Sequence, residues 1–284
     1  NDRSNATTGG KHFAVRVAGT GVNPTGLTLN YNIYRATGTG AVFGYYGADQ
    51  ATIANWQVAT GQDANSAVTD PNFVAPMGNS TTVDLHVQSP TPAEGSGTAI
   101  AAVTEDFDGQ TRADFTPVDI GADAGNFTGV DAFPPVIAYV ALTNTASTGN
   151  RTLASVTITD QTGVPTVGIL QPRIWFRRSS DPASTWASVQ GTLQSGSAVN
   201  GVWNFVIDYS ALSIVPVIGE TYQYYLAVQD AAGIPNVTTS PLGGVHVDVN
   251  TQTSPPGTPS QYSIVAGFTG AYTVPGSYPT LTAA

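Results

Sequence analysis

Apolar residues fall at every second position along most of this chain, and the runs are bounded by Gly, Asn, Pro or Asp. Period two is the period of a β-strand with one buried face, so the pattern commits the chain to sheets. Phe13, Val15 and Val17 alternate with His12, Ala14 and Arg16, while Leu27, Leu29, Tyr31 and Ile33 alternate with Thr28, Asn30 and Asn32. The two runs read as successive rungs roughly 15 residues apart, because the separator AGTGVNPTG supplies the positive-φ and fixed-φ corners of a tightly coiled sheet. One short helix is expected near 51–60. It places Ile53, Trp56 and Ala59 on one face and stops at Gly61.

Residues 66–125 are looser, interrupted by Pro71, Pro76, Pro90 and Pro92, with one clear strand from Val83. The composition changes near residue 128, where DAFPPVIAYVALTN opens a series of longer strands separated by STGN, DQTG, NG and DAAG. Six or seven strands in 128–250 suit an antiparallel sandwich. Trp203, Phe205, Ile207 and Tyr209 form one aromatic core stripe, and Tyr222, Tyr224, Leu226 and Val228 another. Val245, Val247 and Val249 lie opposite His246, Asp248 and Asn250. Residues 251–260 read as a Pro-rich extended linker, and 261–284 as a β-prone tail.

Composition excludes several functions. Only 10% of residues are charged, the net charge is −10, and Lys11 is the one lysine, a balance that argues against nucleic acid and anionic membrane as partners. With no cysteine there are no disulfides, thiolate metal sites or cysteine nucleophiles. No apolar run reaches 18 residues, so no membrane insertion is expected.

EDFDGQTRADFTPVDIGAD, from Glu105 to Asp123, resembles the closing signature of right-handed parallel β-helix regions in secreted surface proteins of Bacteroidetes-type bacteria, many exported by the type IX route. Asp106, Asp108, Gly109, Arg112, Asp119, Ile120, Gly121 and Ala122 carry the match. The stretch from Gly44 to Ser66, then DPNF and DLHV, resembles the final coils of such a region. PPVIAYVALTNTASTGNRTLASVTITD resembles the immunoglobulin-like domain that follows it, and GAYTVPGSYPTLTAA the lead-in to another unit. The resemblance implies an all-β fold: terminal coils of a parallel β-helix over 1–127, an immunoglobulin-like β-sandwich over 128–250, and an extended tail. It also implies an extracellular or cell-surface setting. The chain then reads either as a segment of a longer repetitive protein or as a subunit completed by the tail of its neighbour.

Four carboxylates, Asp106, Asp108, Asp119 and Asp123, form the candidate metal site, since Ca²⁺ takes oxygen ligands. The competing reading pairs Asp106 or Asp108 with Arg112 to lock the end of the coil. No other cofactor is expected. His12, His86 and His246 have no metal-binding spacing and read as surface residues. No nucleophile motif is present, so the chain is not expected to be an enzyme.

The expected function is structural, as a filament, stalk or adhesin subunit joining copies of itself head to tail. The tail residues Tyr262, Ile264, Val265, Phe268, Tyr272, Val274, Tyr278 and Leu281 are the self-association candidates, because an open coil end invites strand addition. The alternative is a module that binds or cleaves surface glycans. Tyr45, Tyr46 or the Trp175 and Trp186 region would then form an aromatic platform, with Asp49 and Asp63 as carboxylates.

Overall fold

The structure, a computed structural model, describes residues 10–182 and 184–267. It is an all-β protein with one α-helix among the described residues. The first part contains β1 (His12–Arg16), β2 (Ile33–Tyr34), β3 (Ala41–Tyr46), β4 (Ala48–Gln50), α1 (Ile53–Thr60), β5 (Ala67–Val68), β6 (Phe73–Ala75) and β7 (Asp84–Val87). Its two parallel pairs interleave: β1 lies beside β3 with His12 opposite Ala41, and β2 beside β5 with Ile33 opposite Ala67.

One circuit of the chain therefore takes about twice the spacing expected from the two apolar runs. The run from Leu27 is not a neighbour of β1. Only Ile33 and Tyr34 of it form a strand, while Leu29 exchanges hydrogen bonds with Gln62 and Asp63 further along the chain. β4 then folds back antiparallel on β3 through Gly47, covering the edge that β1 leaves open. β6 and β7 form an antiparallel hairpin. An isolated parallel bridge from Thr91 to Gly129 leads towards the second part.

Trp56 organises this first core. Its indole is fully buried and meets Phe43 and Tyr46 edge-on, both at 6.1 Å. The helix that carries it begins at Thr52, whose hydroxyl accepts the Asn55 amide. It ends at Gly61, whose φ of 68° lets its N–H reach the Gln57 carbonyl. Gly44 is also required for packing, because a Cβ there would sit 3.0 Å from the Trp56 ring.

The second part is a two-sheet antiparallel sandwich. Its strands are β8 (Val136–Ala138), β9 (Arg151–Thr159), β10 (Arg173–Arg178), β11 (Ala187–Gln190), β12 (Thr192–Gly196), β13 (Asn200–Ile207), β14 (Thr221–Gln229), β15 (Val237–Ser240), β16 (Val245–Asp248), β17 (Thr251–Ser254) and β18 (Ser260–Ser263). One sheet runs β12-β13-β9-β8. The other runs β11-β10-β14-β15, with β18 also on β14. Both aromatic stripes read from the alternation line the shared core, from Trp203 to Tyr209 on one side and from Tyr222 to Val228 on the other. Each such side chain contributes about 1.5–3 kcal/mol by burial.

The structure departs from the sequence pattern at three places in this part. The stretch 251–260 is not a free linker, because Thr251–Ser254 pairs with β16 as a hairpin and Ser260 opens β18. In that hairpin the faces are partly inverted: Val245 and Val247 are 52% and 73% exposed and His246 packs against Trp175 and Tyr225, while Val249 in the turn is buried. The third place is the tail. Tyr262 and Ile264 are 1% and 0% exposed inside their own sandwich, with Tyr262 opposite Tyr222 in the sheet. The first two self-association candidates are therefore core residues of this chain.

The path through the sandwich is in line. The chain enters beside Thr159, since Val136 lies opposite it. It leaves at the other end, where Ser263 lies opposite Thr221 and Ile264 bridges to Thr145.

Candidate functional site

The loop carrying the 105–123 signature is built by short-range turns. The Asp106 carboxylate accepts the amides of Asp108 (3.0 Å) and Gln110 (2.8 Å), and Asp106 N–H donates to the Gln110 carbonyl. The turn brings Asp106 and Asp108 to Asp123, and each offers an oxygen within 4.8 Å of the others. Asp119 is not among them. It is 4% exposed and accepts the amides of Gly95 and Gly125, fixing the loop from beneath. Arg112 does not pair with Asp106 or Asp108 either. Its guanidinium donates to the carbonyls of Asp119 and Gly121.

The residue pair missed by the sequence reading is Asp84 and His86, which alternation places on one face of β7. The His86 ring bonds Asp84 through Nδ1 and Asp108 through Nε2 at 3.0 Å, clasping the β6–β7 hairpin to the signature loop. Asp123 reinforces the clasp by accepting the Val87 amide. Hydrogen bonds to Asp84 and then Asp108 push the imidazole up to about 9. At neutral pH His86 is therefore a cation and supplies the counter-charge that three carboxylates require. Of Asp106, Asp108 and Asp123, His86 touches only Asp108, at Oδ2. A cavity of about 700 Å³ opens beside the clasp, lined by Ile33, Phe73, Leu85, Phe107 and Ile120.

The folded-state value of His86 is raised, so the clasp contributes its full stability below the ordinary range near 6.5 and loses it as pH rises through about 9. An NMR titration of the His86 ring should show a midpoint near 9, lowered in Asp108→Asn. A midpoint near the ordinary value contradicts the clasp. A midpoint that calcium pulls down shows the carboxylates exchanging His86 for metal.

The proposed glycan platform is not assembled. Tyr46 is buried with its hydroxyl on the Gly21 carbonyl, and Tyr45 lies under the Arg16 guanidinium. Trp175 is 8% exposed, stacked on Tyr225 at 6.3 Å beneath the β16–β17 hairpin, and Trp186 meets Tyr225 edge-on under Arg177. Asp49 pairs with Lys11, and Asp63 is a buried hub.

The histidines divide differently from expectation as well. His12 is buried with Nε2 on the Thr37 carbonyl. Burial lowers His246, whose Nε2 meets the Tyr225 hydroxyl, and His86 is half-buried, with 44% of its side chain exposed. Of the remaining tail candidates, Val265 is exposed, while Phe268, Tyr272, Val274, Tyr278 and Leu281 lie outside the described residues.

Comparison with protein-family models finds no match, and a search of curated proteins finds none similar to this chain.

Proposed function

We propose that this chain is a structural element of a secreted bacterial surface protein: a stalk, filament or adhesin subunit that joins copies of itself head to tail. The observation that carries the reading is the in-line path. The chain enters the sandwich at the β9 end beside the coils and leaves at the opposite end, next to Thr145. A domain threaded this way adds length with every copy and passes tension along its strands. The interleaved parallel pairs support reading the first part as coils of a β-helix, and the resemblance of residues 105–123 supports the extracellular setting and type IX export. The surface suits that work, since few charges are present, and some of them are tied in pairs such as Arg178 with Asp181 and Glu220.

Head-to-tail contact through a strand that leaves one copy at its far end gives an open series of multimers. The intramolecular β18 moves the start of any such contact to Val265 or beyond. Sedimentation velocity of the full chain should show a concentration-dependent ladder of multimers, and a chain cut after Gly267 should sediment as a monomer. A full chain that stays monomeric at every concentration contradicts the proposal.

A further inference from the structure

Three carboxylates from separate stretches meet where the coils join the sandwich. Asp131 lies on the connecting stretch, Asp160 follows β9, and Asp230 follows β14; one oxygen of each lies within 4.8 Å of the others. Neutral groups surround them. The Thr162 hydroxyl donates to Asp131 at 2.7 Å and contacts Asp160 at 3.2 Å. Asn236 donates its side-chain amide to Asp230 at 2.6 Å and to the Asp131 carbonyl at 3.4 Å. Backbone amides of Phe133, Thr162, Ala232 and Asn236 add to the shell. The charged groups acting on Asp160 are Asp131 and Asp230, and burial raises the Asp230 carboxyl as well, so the cluster holds its proton between them. Asp230 is fully buried.

The seam around this cluster is loosely packed. Two clefts of about 270 and 290 Å³ lie along it, and Asp160 lines the first together with Tyr31, Ser66 and Ser96. A long hydrogen bond of 3.4 Å, between the side chains of Ser96 and Gln161, crosses beside them. Ahead of β8, the connecting stretch meets the sandwich at Asp131, through Thr162 and Asn236 and beside two carboxylates that repel it when ionised.

We infer that the Asp131, Asp160 and Asp230 cluster is a proton-operated latch, which docks the connecting stretch on the sandwich while it holds a proton and frees the coils to swing when all three carboxylates ionise. Burial, then Asp131 and Asp230, push the Asp160 carboxyl up to about 7 from an ordinary value of 3.8. The docked state therefore binds the proton more tightly than the undocked one. Docking is fully favoured below the ordinary value and lost as pH rises through about 7.

The chain has no cysteine, so Val58→Cys in α1 and Val247→Cys in β16, both at exposed positions, report the angle between the two parts when labelled for single-molecule energy transfer. With a chelator present throughout, the efficiency distribution should be narrow about two units below the midpoint and broad about two units above it, with the midpoint near pH 7. Asp160→Asn should stay narrow across the range. Asp131→Asn removes one of the two carboxylates acting on Asp160 and should move the midpoint down, which tests the latch even if the first variant does not fold. A distribution independent of pH, or a transition that persists unchanged in Asp160→Asn, overturns the inference. So does a distribution that calcium alone narrows while pH does nothing, which would assign the cluster to a metal.

Discussion

Cutting the chain before Gln261 is expected to unfold the sandwich, while cutting it after Gly267 is expected to leave its stability within about 0.5 kcal/mol of the full chain. The two cuts differ by seven residues, and those residues carry β18. Ser260–Ser263 completes the sheet on Tyr224–Thr221, the Tyr262 hydroxyl meets that of Tyr209 at 2.6 Å, and Ile264 bridges to Thr145. Large-to-small changes at buried Tyr and Ile positions cost about 2–5 kcal/mol each, so losing both side chains and their strand approaches the whole stability of a domain, about 5–15 kcal/mol. Tyr262→Ala alone should cost about 3–5 kcal/mol, and Tyr262→Phe about 1 kcal/mol for the lost hydroxyl pair. Urea unfolding followed by tyrosine and tryptophan fluorescence separates these cases. Equal stability of the two truncated chains would show that β18 does not belong to this sandwich.

The second large effect is expected at Asp63, in the first part of the chain. Its carboxylate is 1% exposed and collects donors from four side chains: Trp56 Nε1 at 2.8 Å, Asn32 Nδ2 at 2.9 Å, the Ser66 hydroxyl at 2.7 Å and the Tyr34 phenol at 3.1 Å. Burial and then the Asp63 charge drive the Tyr34 phenol well above its ordinary range, so it remains a donor at any physiological pH. The backbone at Asp63 takes a positive φ of 63°, which Asp and Asn tolerate better than other side chains. Asp63→Ala strands buried donors and strains the turn, and should cost about 3–5 kcal/mol. Asp63→Asn keeps the shape and part of the network and should cost about 1–2 kcal/mol. A loss below about 1 kcal/mol in Asp63→Ala would mean that the hub is not what holds Trp56 in place.

Where a strand has one buried and one wet face, the sequence announces it, and so the stripes from Trp203 and Tyr222 were legible. The same rule fails at β16 because an outer layer inverts it. His246 covers Trp175 and Tyr225, so Val245 and Val247 face solvent although they are the apolar members of the alternation. β14 shows the reason, with Tyr222 and Tyr224 buried on the inner face while Tyr225 and Ala227 are buried under the hairpin on the other.

Spacing along the chain is a poor guide to pairing in the first part for a related cause. Leu27 to Ile33 alternates as a strand would, but most of it meets residues 61–66 through side-chain and loop hydrogen bonds rather than by ladder pairing. At the signature loop, the clustering of Asp106, Asp108 and Asp123 was legible because turn residues hold acidic side chains close in sequence. Asp119 lay equally close in sequence and was drawn below the loop by the Gly95 and Gly125 amides. The partner of the cluster, His86, comes from 22 residues earlier, a distance over which no local pattern reaches.

If this chain is an in-line unit that extends by joining copies of itself, negative-stain electron microscopy of the full chain across a range of concentrations will show it. End-to-end rods that lengthen by one chain at a time, and that disappear in the chain cut after Gly267, are the expected result. Isolated single particles at every concentration, or rods that persist unchanged without residues 268–284, would contradict it.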